Sequence, residues 1–89
     1  MARYELRVSE LAAMGEKPAG ADILFQLGLD SASGRSGAAD LVAAHKWFNL
    51  AAARGNKDAI RLRQEIAEQM TEAEIAAAQR AARAWLKAH

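Results

Sequence analysis

The chain has 89 residues, of which 52% are hydrophobic and 26% are charged, and its net charge is +1. This length fits one domain, and the apolar fraction excludes an intrinsically disordered chain. The small net charge gives no reason to expect binding to nucleic acid or to an anionic membrane. The absence of cysteine excludes disulfides and cysteine-based zinc sites. The N-terminal residues contain no long apolar run, so we expect a cytoplasmic protein without a membrane segment.

The first segment, residues 3–14, places apolar side chains at helical spacing before a glycine. These are Tyr4, Val8, Leu11 and Met14, followed by Gly15. The pattern predicts a helix, although the alternation from Tyr4 to Val8 leaves a short strand open. Residues 15–20 predict a loop because they contain Pro18 between glycines.

Residues 21–32 predict a helix that is apolar on most sides. Asp22, Gln26 and Asp30 are spaced by four residues and therefore form one narrow polar edge. The two carboxylates are about 12 Å apart along such a helix, too far for joint acid–base catalysis. Gly28 lies in the middle of the helix, which indicates close approach of a neighbouring helix.

A glycine-containing loop leads to a third helix over residues 41–54, with Asp40 as its N-cap and Gly34 ending the preceding helix. Trp47 and Phe48 are adjacent and so point about 100° apart around this helix. We expect one of them to contact the preceding helix and the other to contact the following hairpin. Both are therefore interpreted as core residues and not as a ligand cage.

The remaining residues predict two further helices, over 57–70 and about 72–88. Gly55 and Asn56 suit the turn before the first of them, and Thr71 with Glu74 forms a capping box at the start of the second. The predicted inward-facing residues of the two helices are Ala59, Leu62, Ile66, Met70, Ile75, Ala78, Ala82, Trp85 and Leu86, with Ile60 and Ala67 beside the first stripe.

Residues 21–59 resemble a Sel-one-like repeat, a helix-turn-helix relative of the tetratricopeptide repeat. The positions that carry the resemblance are Ala21, Leu27, Gly28, Gly34, Asp40, Ala44, Trp47, Phe48, Ala51, Ala52, Gly55 and Ala59. The chain departs from the family pattern at Asp30 and Ser31, where an apolar residue and a tyrosine are usual, and at Ser36-Gly37, where Gly-Val is usual. Residues 70–86 are similar to the helical extension that closes some bacterial members.

The segments together predict an all-α fold of four or five short helices, and the short turns between them indicate antiparallel neighbours. The resemblance implies that these helices form a fragment of an α/α solenoid. It divides the single domain 1–89 into an N-terminal cap helix with its loop (1–20), one full repeat (21–55), and a partial second repeat with a C-terminal capping helix (56–89). It implies a scaffold, adaptor or regulatory protein that binds another protein. It also implies that the chain has no catalytic residue and no cofactor. We further expect no metal site and no small-molecule substrate.

In such repeats the front helices line the concave surface. Gln26, Asp30 and Ser31, with Asn49 from the following helix, are therefore the candidate partner-binding residues. Their polar, negatively charged character favours a partner bearing Lys or Arg. On this interpretation, Asp30→Arg should weaken binding and leave the thermal melt nearly unchanged.

Other kinds of site have weaker support. His45 is expected to be partly exposed, and neither it nor His89 has the spacing of a metal site. The sequence SGRSG at 33–37 lacks the strand and the lysine of a phosphate-binding loop, so it is interpreted as a turn.

Two other functions and one assembly state stay open. A small nucleic-acid-binding or transcription-regulating protein would use the basic residues of the last two helices, Arg61, Arg63, Arg80, Arg83 and Lys87. The glutamates among these residues favour surface ion pairs instead. A noncatalytic subunit of an enzyme is the third function considered, and the sequence leaves a homo-oligomer open.

Overall fold

The computed structural model describes residues 20–34 and 37–88. Within these ranges the chain forms four α-helices and no strand, which confirms the predicted all-α class. The helices are α1 (Ala21–Ser33), α2 (Leu41–Ala53), α3 (Lys57–Ala67) and α4 (Glu72–Ala88). None of these described helices is long and apolar enough to cross a membrane. The helix predicted for residues 3–14 lies outside the described residues.

Two side-chain caps determine where α2 and α3 begin. The carboxylate of Asp40 accepts a hydrogen bond from the backbone N–H of Ala43 at 2.9 Å, and the amide oxygen of Asn56 accepts one from Ala59, also at 2.9 Å. Each cap satisfies a backbone donor that has no partner within its own helix. Both predicted N-caps are therefore confirmed.

The capping box at α4 is reciprocal, as predicted. The backbone N–H of Thr71 donates to Glu74 Oε1 at 2.8 Å, and the backbone N–H of Glu74 donates to Thr71 Oγ1 at 3.1 Å. The carboxyl-terminal end of α1 is set by Gly34. Its φ of 70° lies in the left-handed region, which glycine adopts without strain.

The packing of α1 on α2 depends on a missing side chain at Gly28. A Cβ atom added to Gly28 would lie 2.5 Å from both Cδ1 and Cε1 of Phe48, so only a glycine lets the ring approach the backbone this closely. The Phe48 side chain is 1% exposed, and its ring centroid lies 5.6 Å from that of Phe25. The close approach predicted at Gly28 is confirmed.

Helix α2 is the centre of the described fold, because α1, α3 and α4 each pack mainly against it. Phe48 faces α1, whereas the ring of Trp47 meets the ring of Trp85 on α4 edge-to-face, with 6.0 Å between the centroids. The expectation that these two adjacent aromatics point toward different neighbours is therefore confirmed. The buried core contains Leu24, Leu27, Ala44, Phe48, Leu50, Ala51, Ala59, Ile66 and Ala82.

Helix α3 is shorter than predicted, because it ends at Ala67 and not at residue 70. The chain tightens there into a turn in which the N–H of Gln69 donates to the carbonyl of Ile66 at 2.9 Å and the N–H of Met70 donates to that of Ala67 at 3.1 Å. The Met70 side chain still packs partly buried against the core.

Leu86 was predicted to face inward, and this is wrong. Its side chain is 48% exposed, because Ala78, Ala82 and Trp85 already form the contact of α4 with the core and Leu86 lies about 100° around the helix from Trp85. Ile60, expected beside the apolar stripe of α3, is 40% exposed. These two side chains are the large hydrophobic residues that the described part of the chain leaves exposed.

Candidate interaction surfaces

The polar edge of α1 is exposed at its start and buried at its end. Asp22 and Gln26 are exposed, but Asp30 is only 7% exposed and its carboxylate accepts a hydrogen bond from the Gln26 amide at 3.3 Å. The chain returns to this end of α1, where the N–H of Asp40 donates to the carbonyl of Ser31 at 2.9 Å. The prediction that Asp30 belongs to an accessible edge is therefore wrong, because the edge is buried at its carboxyl-terminal end.

The other two predicted contact residues are half-buried and lie on different helices. Ser31 is on α1, whereas Asn49 is on α2 and its amide oxygen accepts a hydrogen bond from Arg63 Nη1 at 2.7 Å. This bond connects α2 to α3. Of the four predicted partner-binding residues only Gln26 is exposed, and a role for any of them in binding stays a prediction.

His45 is buried, contrary to the expectation of partial exposure. Its side chain is 4% exposed, and Nδ1 has no hydrogen-bond partner among the described residues. Burial lowers the pKa of His45 below its ordinary value of 6.5, and the positive charge of Arg63 lowers it further. The sequence contained one signal of this burial. His45 precedes Ala52 by seven residues, so the two lie on the same side of α2, and Ala52 packs against the core.

The contact between α2 and α4 combines two tryptophans with two cations. Trp47 and Trp85 are both half-buried, and the ammonium group of Lys46 lies 3.9 Å from the centroid of the Trp47 ring. The guanidinium of Arg54 lies 5.8 Å from the Trp85 ring, within the range of a cation–π contact. Burial lowers the pKa of Lys46, and the nearby Asp40 partly opposes this effect. The charged neighbours of the tryptophans were not predicted, although Arg54 follows Trp47 by two helical turns.

Two of the three basic residues of α3, Arg61 and Arg63, are engaged with neighbouring side chains. Arg61 lies 3.6 Å from Asp58 and 3.6 Å from Glu65 on the same helix, and Arg63 donates to Asn49. The two ion pairs are solvent-exposed and therefore contribute little to stability. Their effect is to balance the charge of Arg61 at the surface of α3.

The basic residues of α4 are arranged differently. Arg80, Arg83 and Lys87 are all exposed and, within the described part of the chain, make no ion pair or hydrogen bond. The glutamates of α4 lie in its first turn, where Glu74 takes part in the capping box. The last two turns of α4 consequently present positive charge to solvent.

No protein-family model, curated protein or solved structure matches this chain. Among residues 20–34 and 37–88, no three histidine, aspartate or glutamate side chains come together as a metal site would require. Any functional assignment therefore depends on the arrangement of the residues themselves.

Proposed function

We propose that this chain is a small protein interaction module of the Sel-one-like repeat type, acting as an adaptor, scaffold or regulatory protein in the cytoplasm. The packing roles of several positions that carry the resemblance support the proposal. Gly28 accommodates Phe48, Asp40 caps α2, and Ala44, Ala51 and Ala59 are each 0% exposed. The proposal assigns no catalytic residue, cofactor or small-molecule substrate to the chain.

The observation that carries the proposal is the packing of α2 on two sides. Phe48 contacts α1, and Trp47 contacts Trp85 on α4. A helix with neighbours on both sides is what a stack of helical pairs requires, and such stacks serve mainly as surfaces for other proteins.

The nucleic-acid alternative has less support. It relied on basic residues from both α3 and α4, but Arg61 is paired with Asp58 and Glu65, and Arg63 donates to Asn49. Side chains held in this way contribute less to a continuous basic surface. Nucleic-acid binding is therefore treated as an outcome of the test and not as a second proposal.

The test is affinity capture from the lysate of the native cell, with the tagged full chain as bait and mass spectrometry as the readout. An unrelated helical protein of similar size and with the same tag is the control. We expect one or a few proteins to be enriched by this chain only, and to be retained after nuclease treatment.

Two outcomes would contradict the proposal: enrichment that disappears with nuclease, or a protein profile equal to that of the control bait. Copurification of an active enzyme in a fixed ratio would instead identify the chain as a noncatalytic subunit.

A further inference from the structure

The outer side of α4 carries three positive charges in one narrow stripe. Arg80, Arg83 and Lys87 are three and four residues apart, which places them within about 60° of one another around the helix. Ala78 and Ala82, which are buried, lie on the opposite side of the same helix. The stripe therefore faces away from α2 and spans about 10 Å along the surface.

Nothing within the described part of the chain neutralises this stripe. Arg61 of α3 is an arginine whose charge is balanced, because the carboxylates of Asp58 and Glu65 each lie 3.6 Å from it. Arg80, Arg83 and Lys87 have no such neighbour among the described residues. Three adjacent cations without counter-charges repel one another and favour the approach of a negatively charged partner.

The stripe has an exposed hydrophobic residue at its edge. Leu86 is 48% exposed and lies about 60° around the helix from Arg83. The alanine side chains of Ala76 and Ala84 lie between or beside the cations, so that a partner backbone could come close. A ligand that covers Leu86 while pairing with the cations needs both an apolar and an acidic side.

We propose that this α4 basic face, defined as Arg80, Arg83 and Lys87 with Leu86 at its edge, docks an acidic amphipathic helix of a partner protein. The proposal deepens the proposed interaction function and depends on it. Acidic side chains at matching helical spacing would pair with the three cations, and an apolar side chain would cover Leu86. Charge complementarity selects this occupant, and the exposed leucine favours a protein over a nucleic acid.

The first test measures peptide binding to the full chain by fluorescence anisotropy. The probe is a labelled helix-forming peptide with glutamates on one side and leucines beside them, and a scrambled peptide of the same composition is its control. The variant Arg80→Glu/Arg83→Glu should weaken binding about tenfold or more. The matched variant Lys57→Glu/Arg61→Glu makes the same change of charge on exposed residues of α3 and should bind nearly as the wild type does.

The role of Leu86 separates a protein ligand from a nucleic acid. Leu86→Ala should weaken peptide binding several-fold and leave the binding of a labelled single-stranded oligonucleotide unchanged. Circular dichroism should show that each variant keeps its helix content, since all the substituted residues are exposed.

Several outcomes would overturn the proposal: no detectable peptide binding, equal binding of the scrambled peptide, or an oligonucleotide that binds more tightly than the peptide. Self-association in sedimentation equilibrium that Arg80→Glu/Arg83→Glu abolishes would assign the face to a second copy of the chain instead.

The lysate capture distinguishes failure of this proposal from failure of the proposed function. If Arg80→Glu/Arg83→Glu still captures the same protein as the wild type, the docking face is wrong and the interaction function stands. If the wild type captures no protein at all, the interaction function itself fails.

Discussion

At Gly28, helix propensity and packing act in opposite directions. Alanine is a better helix former than glycine by about 1 kcal/mol, so propensity alone predicts that Gly28→Ala stabilises the protein. The added Cβ, however, would lie 2.5 Å from two ring carbons of Phe48, a side chain that is 1% exposed and has little room to move. The packing term should therefore dominate.

We accordingly expect Gly28→Ala to lower the free energy of unfolding by about 1–3 kcal/mol, the usual cost of overpacking a core. Urea denaturation followed by circular dichroism measures this change. In a Phe48→Leu background the same substitution should cost much less, because the ring that it strikes is gone. An increase in stability in the wild-type background would contradict the packing argument.

Asp30 shows how burial changes a prediction made from the sequence. The helical spacing correctly placed Asp22, Gln26 and Asp30 along one edge, but spacing within one helix does not reveal what returns to cover its end. Here the chain comes back at Asp40, which bonds to Ser31 in the last turn of α1. The sequence could therefore predict which residues share an edge, but not that Asp30 would be 7% exposed.

Asp30→Arg is consequently expected to destabilise the protein by about 3 kcal/mol or more, because it puts a longer charged side chain at a buried position. This reverses the expectation, made from the sequence, of an unchanged thermal melt. Asp22→Arg is the matched control: it makes the same charge change on an exposed residue of the same helix and should cost about 1 kcal/mol or less. The melting temperatures of the two variants should differ clearly. Equal melting temperatures would show that position 30 accommodates an arginine as easily as the exposed position 22 does.

His45 should make stability depend on pH. Its pKa in the folded protein is lowered by burial and by Arg63, so below about pH 6.5 the unfolded chain binds a proton that the folded chain does not. The free energy of unfolding should therefore fall as the pH decreases through and below that value. Denaturation at several pH values should show this decrease in the wild type and a flatter profile in His45→Gln. If the free energy of unfolding of His45→Gln falls with pH as steeply as that of the wild type, His45 is not the source of the pH dependence.

At the scale of the elements, helix starts were predicted better than helix ends. Asp40, Asn56 and Thr71 cap their helices through local hydrogen bonds that are visible in the sequence as residue type and spacing. The end of α3 at Ala67 carries no such signal, because Glu68 and Gln69 are ordinary helix formers. The turn that follows is formed by backbone hydrogen bonds, which leave little trace in side-chain chemistry.

The capping box of α4 gives a direct test of this local control. Thr71→Ala removes the acceptor for the Glu74 N–H and should lower the free energy of unfolding by about 1 kcal/mol. Thr71→Ser keeps the hydroxyl and should be close to the wild type. Thermal or urea denaturation of both variants measures the difference, and indistinguishable curves for the alanine and serine variants would argue against the cap as a source of stability.

At the scale of the whole molecule, the question is whether α4 belongs to the same cooperative unit as the rest. Trp47 and Trp85 are the two tryptophans of the chain, and their rings meet between α2 and α4. Their fluorescence therefore reports the docking of α4, whereas circular dichroism reports all helices together. Coincident unfolding transitions by the two methods are expected for one cooperative unit.

Trp85→Ala should destabilise the whole protein by about 3 kcal/mol, somewhat less than a fully buried tryptophan would cost because its ring is half-buried. Trp85→Phe should restore much of this loss, since it keeps an aromatic ring against Trp47. Urea denaturation gives the comparison. If Trp85→Ala instead produces an early transition in which only part of the helix content is lost, α4 unfolds on its own and is an appendage to the other helices.

The central position of α2 has a consequence for how this protein can change over evolution. Each of the other described helices must match α2, but they contact one another only slightly, so a substitution in one of them seldom requires compensation in another. A substitution in α2 must remain compatible with the packing of as many as three neighbouring helices at once. Among homologous sequences, α2 should therefore diverge most slowly, while the outer sides of α1, α3 and α4 can acquire new surfaces independently of one another.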